Sequence, residues 1–366
     1  WVLGSRLAGP DGDGASQVRA STKIDRFRGA AQENTLRVEE VLPAGTRFDV
    51  FLRWDAPSAG AVEEFAELLA SWRPFLGRGV SRGRGRCAVD SVRHGTLHLD
   101  EPDDLLRWLT MSGPELARAV AVNEVHRGND GDEPEPAIRV RMSIAGPWHI
   151  GSGEPPPTVS DGNREHQVIP LLRADAGFFV PGSALKGLVR SRAEFILRSV
   201  GVRPAPCDKQ PCGRCWTCKV FGFGGGEDAA STVVGARSAI RFADAMVDNP
   251  SKVCRTHVAI DRFTGGAMPG ALYEMEALEA GTFTILVERL PGTMAEHQPG
   301  EIRAVLRLVL EDLNDGIIGM GGGSARGYGS VTVDLEDAEA SGALPSGADA
   351  RRVLVQMVRD SEHITR

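Results

Sequence analysis

Residues 180–222, VPGSALKGLVRSRAEFILRSVGVRPAPCDKQPCGRCWTCKVFG, join a basic helix to four closely spaced cysteines. Pro181-Gly182-Ser183 reads as a turn that delivers Ser183 as a helix N-cap, and Leu185, Leu188, Val189 and Ile196 then recur at helical spacing. The pattern predicts a helix over residues 185–199. Lys186 and Arg190 stand four apart and share a face near the helix start, where free backbone N–H groups and the positive dipole end favour a phosphate. An ordinary solvated basic face fits the same two residues.

Behind the helix, Cys207, Cys212, Cys215 and Cys218 follow a C-x4-C-x2-C-x2-C spacing in a loop with little apolar content beyond Trp216. Four thiolates this close suit tetrahedral zinc, and such a loop needs a metal to hold it. An iron–sulfur cluster is compatible with cysteines alone, whereas two disulfides would need an oxidising compartment. Closed coordination by four cysteines leaves no open position, so the expected role is structural. Cys87 and Cys254 read as buried thiols.

The chain of 366 residues is 42% hydrophobic and 25% charged, enough for two cores of mixed class. No run is long and apolar enough for a membrane span and no charged-then-apolar signal opens the sequence, so no membrane partner and a cytoplasmic location are expected. The net charge of −7 argues against indiscriminate nucleic-acid binding. Any such site must be local.

The sequence also repeats itself. Ile24-Asp25-Arg26-Phe27-Arg28-Gly29-Ala30 returns as Ile260-Asp261-Arg262-Phe263-Thr264-Gly265-Gly266-Ala267, and Ala44-Gly45-Thr46 returns as Ala280-Gly281-Thr282. Further on, GRGVSRGRG at 77–85 aligns with GGGSARGYG at 321–329. Two glycine-rich stretches and two IDR stretches in one order imply two copies of one module. Residues 1–100 then hold the C-terminal part of a first module, 101–137 a linker with a short helix, 138–335 a complete second module and 336–366 a tail. On this reading the first half of module one lies outside the sequence.

Strands are expected near 138–144, 167–172, 239–242, 283–287 and 331–335, and helices at 61–72, 185–199 and 301–313. The order strand, helix, strand, strand, helix, strand is ferredoxin-like, an α+β class.

PGSALKGLVR, the cysteines before VFG, SAIRFADA, HVAIDRFTGGA with LYEMEAL, and GGGSARGYGSV together resemble the signature set of the RAMP superfamily, in particular the backbone subunits of type III CRISPR effector complexes. The resemblance spans nearly all of 138–335, and its later half recurs across 1–100. It implies tandem ferredoxin-like (RNA-recognition-motif-like) modules with β-hairpin thumbs and a zinc-binding loop, a guide (CRISPR) RNA and complementary target RNA as partners, and neighbouring RAMP-type effector subunits. It implies phosphate contacts at Ser183, Lys186 and Arg190, a thumb over 257–275 in which Arg262 and Phe263 would meet RNA, and a glycine-rich loop with Arg326. In module one the equivalents are Arg26 and the arginines Arg78, Arg82, Arg84 and Arg86, whose guanidinium forks suit phosphates and unpaired bases.

Target-cleaving members of the family carry an aspartate before the apolar strand that here begins at Val168. By spacing that position falls on Glu165, with Asp161 the nearest aspartate. Either carboxylate would hold Mg2+ or Mn2+, or activate a ribose 2′-hydroxyl, if the chain is an endoribonuclease; solvated loop charges are the alternative. A guide-RNA-processing endoribonuclease of the same superfamily is a further alternative, commonly built on a histidine.

Overall fold

A computed structural model describes residues 2–8, 16–25, 30–126, 138–161, 164–174, 177–207, 211–224, 235–290, 292–295 and 298–363. The chain divides into two compact units. One comprises Trp1–Arg19, Arg37–Leu76 and Gly85–Glu133; the other comprises Ala20–Leu36, Gly77–Arg84 and Pro134–Arg366. None of the described helices is long and apolar enough to cross a membrane.

The first unit contains an antiparallel pair, Val2–Ala8 with Arg47–Leu52, and helix α1 over Ala61–Ser71. Residues 101–126, read from sequence as a joining segment with one short helix, hold α2 (Pro102–Thr110), α3 (Gly113–Val120) and the strand Asn123–His126, which pairs with Ser91–His94. Ala66, Ala70, Pro74 and Leu116 are its buried apolar residues among those described, while Phe48, Val50 and Phe65 remain exposed.

The second unit is built on the strand Ala267–Arg289. Its C-terminal half lies antiparallel to Ile138–Ile144 on one side and to Ile240–Phe242 on the other. Val331–Val333 adds outside Ile138–Ile144. Burial alternates along Ile138–Ile144, so Ile138, Val140, Met142 and Ile144 face the core with Phe283, Ile285 and Val287. Two helices cover that face: α4 (Gly182–Ser199) through Leu185, Val189, Ala193 and Leu197, and α6 (Pro299–Asn314) through Ile302, Val305, Val309 and Leu313. Between them in sequence, α5 (Trp216–Phe221) follows the cysteine loop.

The tail holds α7 (Leu335–Ala340) and α8 (Gly347–His363). Leu354 and Met357 of α8 join the core, and Glu311 of α6 accepts hydrogen bonds from Arg307 and, at 2.8 Å, from Arg351. The strand expected at 331–335 therefore stops at Val333, where Asp334 caps α7 by accepting from the Asp337 N–H.

The helix expected at 185–199 begins earlier, and Ser183 is not its cap. Pro181 occupies the cap position with no side-chain cap bond of its own. Asp244, distant in sequence, supplies the acceptor instead: its Oδ1 takes the Gly182 N–H at 2.8 Å. A proline cannot offer a side-chain oxygen, so the orphan amide is satisfied through tertiary structure.

The N-terminal half of Ala267–Arg289 leaves the helix-covered sheet and pairs with Asp248–Ile260 as a long hairpin. Its other edge runs parallel to Arg164–Ile169, which is itself antiparallel to Thr158–Asp161. Cys254 sits on this hairpin and is exposed, and Cys87 is half-buried. Neither is the buried thiol expected from sequence; for Cys254 the reason is that alternate residues of this hairpin have no helix above them.

Candidate nucleic-acid interface and metal centre

The four loop cysteines converge so that their ligand atoms all lie within 4.8 Å of one another. Cys207 Sγ is 3.5 Å from Cys215 Sγ and 3.6 Å from Cys218 Sγ. Cys215 and Cys218 are buried at the start of α5, and Cys207 and Cys212 are half-buried. Backbone N–H groups of Cys212 and Cys215 point at the Cys207 and Cys212 sulfurs, at 3.1 and 3.3 Å, as expected where thiolate charge must be stabilised. The donor set fits a metal ion in a closed site. The loop is tied to the helical layer by Trp216, whose Nε1 donates to Glu301 on α6 at 2.8 Å, and by Arg190, whose guanidinium donates to Glu194 and to the Gly222 carbonyl, both at 2.9 Å.

Arg190 thus spans α4 and the end of α5. Lys186, one turn earlier, donates to Ser81 Oγ at 2.8 Å. Burial, followed by the charges of Arg190 and Arg82, pulls its pKa from 10.5 down to about 7. Ser183 is half-buried in the first turn. Residues 77–84 pack on this helix end. Glycine is required on both sides of the contact: a Cβ at Gly83 would lie 2.8 Å from the Asp244 nitrogen, and one at Gly182 would overlap the Phe242 carbonyl and lie 2.9 Å from the Arg82 carbonyl. Arg241 completes the junction, donating to the Gly83 carbonyl at 2.9 Å while paired with buried Glu288. Within the glycine loop, Arg78 is exposed and Arg82 and Arg84 are half-buried; Arg86 just beyond is exposed.

The tip of the long hairpin is organised by Asp261. Its Oδ1 accepts the N–H groups of Phe263 at 2.7 Å and Thr264 at 3.0 Å, which holds the carboxyl below its usual range. Gly265 follows with φ +68°. This turn presents Phe263 at 100% exposure beside exposed Arg262, with Met268 half exposed. A fully exposed phenylalanine is not part of a hairpin core.

Nearer the sheet, both tyrosines of the chain meet one histidine. The His257 ring stacks on Tyr273 at 5.2 Å, and its Nε2 lies 2.8 Å from the Tyr328 hydroxyl. Arg326 donates to the Tyr273 hydroxyl. Burial, then the charges of Arg326 and Arg255, lowers the His257 pKa. His149 is buried below, its Nδ1 2.7 Å from the Glu276 carbonyl, and burial likewise lowers its pKa. Its own carbonyl accepts the Gly322 N–H at 2.8 Å and anchors the second glycine loop.

The two glycine loops share one backbone. Val80–Arg82 and Ser324–Arg326 are single 3-10 turns, flanked by left-handed Gly79 and Gly83 in one and Gly323 and Gly327 in the other. Arg82 N–H to Gly79 O and Arg326 N–H to Gly323 O both measure 2.8 Å, and Leu76 N–H to Gly85 O at 2.8 Å parallels Met320 N–H to Gly329 O at 2.9 Å. The IDR stretches share a register too: Ile24 pairs with Ala31 as Ile260 pairs with Ala267.

Of the residues singled out from sequence, Arg26 lies outside the described residues. Asp161 and Glu165 stand on the two strands of a hairpin rather than in a loop, Asp161 opposite Arg164 and Glu165 opposite Ser160; their side chains lie outside the described residues. Sequence reading missed Asp244, Ser81, the Arg241–Glu288 pair and the Tyr273–His257–Tyr328 cluster. The scarcity of tyrosine, two in 366 residues, was a signal for the last.

No curated protein matches the chain in sequence. A family model described as the RAMP superfamily matches residues 141–332, just over half of the chain and most of the strand–helix core set out above. The chain belongs to the RAMP superfamily.

Proposed function

We propose that this chain is a guide RNA-binding subunit of a type III CRISPR antiviral effector complex, made of two tandem RAMP modules, that organises guide–target RNA pairing. Family membership supports an RNA-binding role. The observation that carries the reading furthest is the long hairpin, which presents fully exposed Phe263 and Arg262 on a turn fixed by Asp261. An apolar ring held away from any core suits insertion between bases, and a neighbouring guanidinium suits phosphate. The strand order Val331–Val333, Ile138–Ile144, Ala267–Arg289, Ile240–Phe242 beneath two helices supports the ferredoxin-like reading of the complete module. The matched glycine loops and IDR hairpins support the tandem reading.

In this assignment Arg262, Phe263 and Arg326 contact RNA from module two, and Arg26, Arg78, Arg82, Arg84 and Arg86 from module one. Ser183, Lys186 and Arg190 lie along the backbone path at the start of α4, where a phosphate would raise the depressed pKa of Lys186 again. The cysteine cluster holds zinc as a structural ion, since four sulfurs with no open position suit a fold-stabilising role.

A second reading is endoribonuclease activity. Asp161 and Glu165 are the candidates for Mg2+- or Mn2+-dependent target cleavage. The His257–Tyr328 contact with Arg326 nearby favours a metal-independent alternative, since a neutral imidazole beside a phenol and a guanidinium can exchange protons with a ribose hydroxyl and offset phosphate charge. The decisive experiment is to purify the protein with the products of its own genomic neighbourhood and sequence the RNA that co-purifies. Short RNAs sharing one repeat-derived end are expected. Absence of RNA at physiological salt would refute the guide-holding role.

A further inference from the structure

On the face of the long hairpin opposite the His257–Tyr273 stack, a thiol, an imidazole and a carboxylate converge. They come from three neighbouring strands: His166 from Arg164–Ile169, Cys254 from Asp248–Ile260 and Glu274 from Ala267–Arg289. Alternation sets the face. Thr256 stands across from Glu274 on one side and Val168 pairs with it on the other, so Cys254 and His166, each two residues away, share the face of Glu274. Glu274 is the common partner: its Oε2 lies 3.1 Å from Cys254 Sγ and 3.4 Å from His166 Nε2, and its Oε1 lies 3.5 Å from Thr256 Oγ1. The His166 side chain is 12% exposed and that of Glu274 29%, while Cys254 opens to solvent, so the cluster is walled on one side and reachable from the other. Farther along the same face Lys252 and Glu276 are already paired at 2.6 Å, whereas Glu274 has no ion pair with a lysine or arginine among the described residues.

We infer that His166, Cys254 and Glu274 bind one soft divalent cation, zinc first, through a sulfur, an imidazole nitrogen and a carboxylate oxygen, with a fourth position open. Sulfur and nitrogen donors select Zn2+ over Mg2+ or Mn2+, which prefer oxygen, so the ion and its ligands differ from the Asp161 and Glu165 alternative. Three protein ligands leave a place for water or a phosphate oxygen, in contrast to the closed four-cysteine loop. As the ion enters, the Cys254 thiol releases its proton to solvent, a sulfur–metal bond forms, and Glu274 exchanges the S–H donor for the cation. Among the described residues the loop cysteines are the one group whose ligand atoms already lie within 4.8 Å of one another. Sulfur and imidazole on the hairpin therefore have to close on the ion, which the exposed Cys254 side chain does by rotating about χ1. A site assembled on binding is the weaker of the two, and a mild chelator empties it while the loop stays filled. The inference does not rest on the guide-RNA role.

The test is metal titration of the full chain with its loop ion in place. Zn2+ added against a chromophoric chelator is expected to reveal a second, weaker equivalent in the wild type. Cys254→Ser, His166→Gln and Glu274→Gln should each lose that equivalent and keep the first, which also shows that the variant is folded. Cys87→Ser is the control thiol and should keep both. Co2+ offered to the zinc-loaded chain should give sulfur-to-cobalt charge-transfer absorption that Cys254→Ser abolishes, and inorganic phosphate should shift the visible cobalt bands by taking the open position. A wild type that takes up no second equivalent would overturn the inference. So would a second equivalent held unchanged by Cys254→Ser or His166→Gln, or charge-transfer absorption that survives Cys254→Ser, which would place the cobalt on the loop cysteines. Cobalt bands unmoved by phosphate would overturn the open position. Failure to recover guide RNA would refute the proposed function without altering any of these outcomes.

Discussion

The ammonium of Lys186 lies 2.8 Å from the hydroxyl of Ser81, 105 residues away in the chain, and this contact joins the glycine-rich loop 77–85 to the first turns of α4. A solvated cation at a helix start and a cation turned into a protein contact differ in charge at neutral pH, and the difference is measurable.

Burial draws the Lys186 pKa from 10.5 to about 7. Between those values the unfolded chain binds more protons at this site than the folded one, so stability rises with pH across that window and the penalty is fully present below pH 7. At about 1.4 kcal/mol per unit, the penalty is on the order of 5 kcal/mol at most. Lys186→Met should therefore be more stable than the wild type at pH 6. The advantage should shrink as pH approaches 10, as urea titrations at a series of pH values will show.

Arg241 and Glu288 form a buried ion pair that also reaches the Gly83 carbonyl. Arg241→Met leaves the Glu288 carboxylate buried without its partner and should cost about 3–5 kcal/mol. Arg241→Met with Glu288→Leu should recover most of that loss. Comparison of the two by chemical denaturation separates the pair from the packing around it.

Removal of one metal ligand should unfold the loop it holds. Cys218→Ser is expected to abolish stoichiometric metal in the purified protein and to lower the unfolding midpoint by roughly 5–10 °C, the scale of losing several kcal/mol in a domain this size. Elemental analysis of the wild type identifies the ion. Zinc at one per chain is the expected result.

Phe263 touches no core, so Phe263→Ala should leave stability within about 0.5 kcal/mol of the wild type. On the proposed function it should change the spacing at which target RNA is protected or cut in the assembled complex. Asp261→Ala, which frees the turn that presents the ring, should reproduce that effect more weakly. Footprinting of the guide–target duplex reads both.

Asp161→Ala and Glu165→Ala distinguish scaffold from nuclease. If module two cuts target RNA through a carboxylate-bound metal, one of them should reduce cleavage by about a hundredfold or more while RNA retention is unchanged. His257→Phe tests the metal-independent route, which should persist in chelator.

The local chemistry of this protein was legible in its sequence. Cysteine spacing alone located the four-sulfur cluster that could hold a metal ion, since short-range spacing limits where four sulfurs can meet. Helical and alternating periodicity placed α1, α4, α6 and the strand Ile138–Ile144 within a few residues, because one buried face imposes its period on the pattern. The repeated glycines carried through to matched left-handed turns, a backbone that other residues adopt only at a cost. What tertiary structure decided were the partners of polar groups. Ser183 looked like a cap, yet Asp244 is the acceptor; Lys186 and Arg190 read as a basic face, either turned to a phosphate or solvated, yet one is turned to Ser81 and the other to Glu194 and Gly222. His257, Tyr273 and Tyr328 carry no shared motif and meet only because the hairpin and the second glycine loop converge. A hydrogen bond is satisfied by whichever group the fold brings within about 3 Å, and sequence distance places no constraint on that choice.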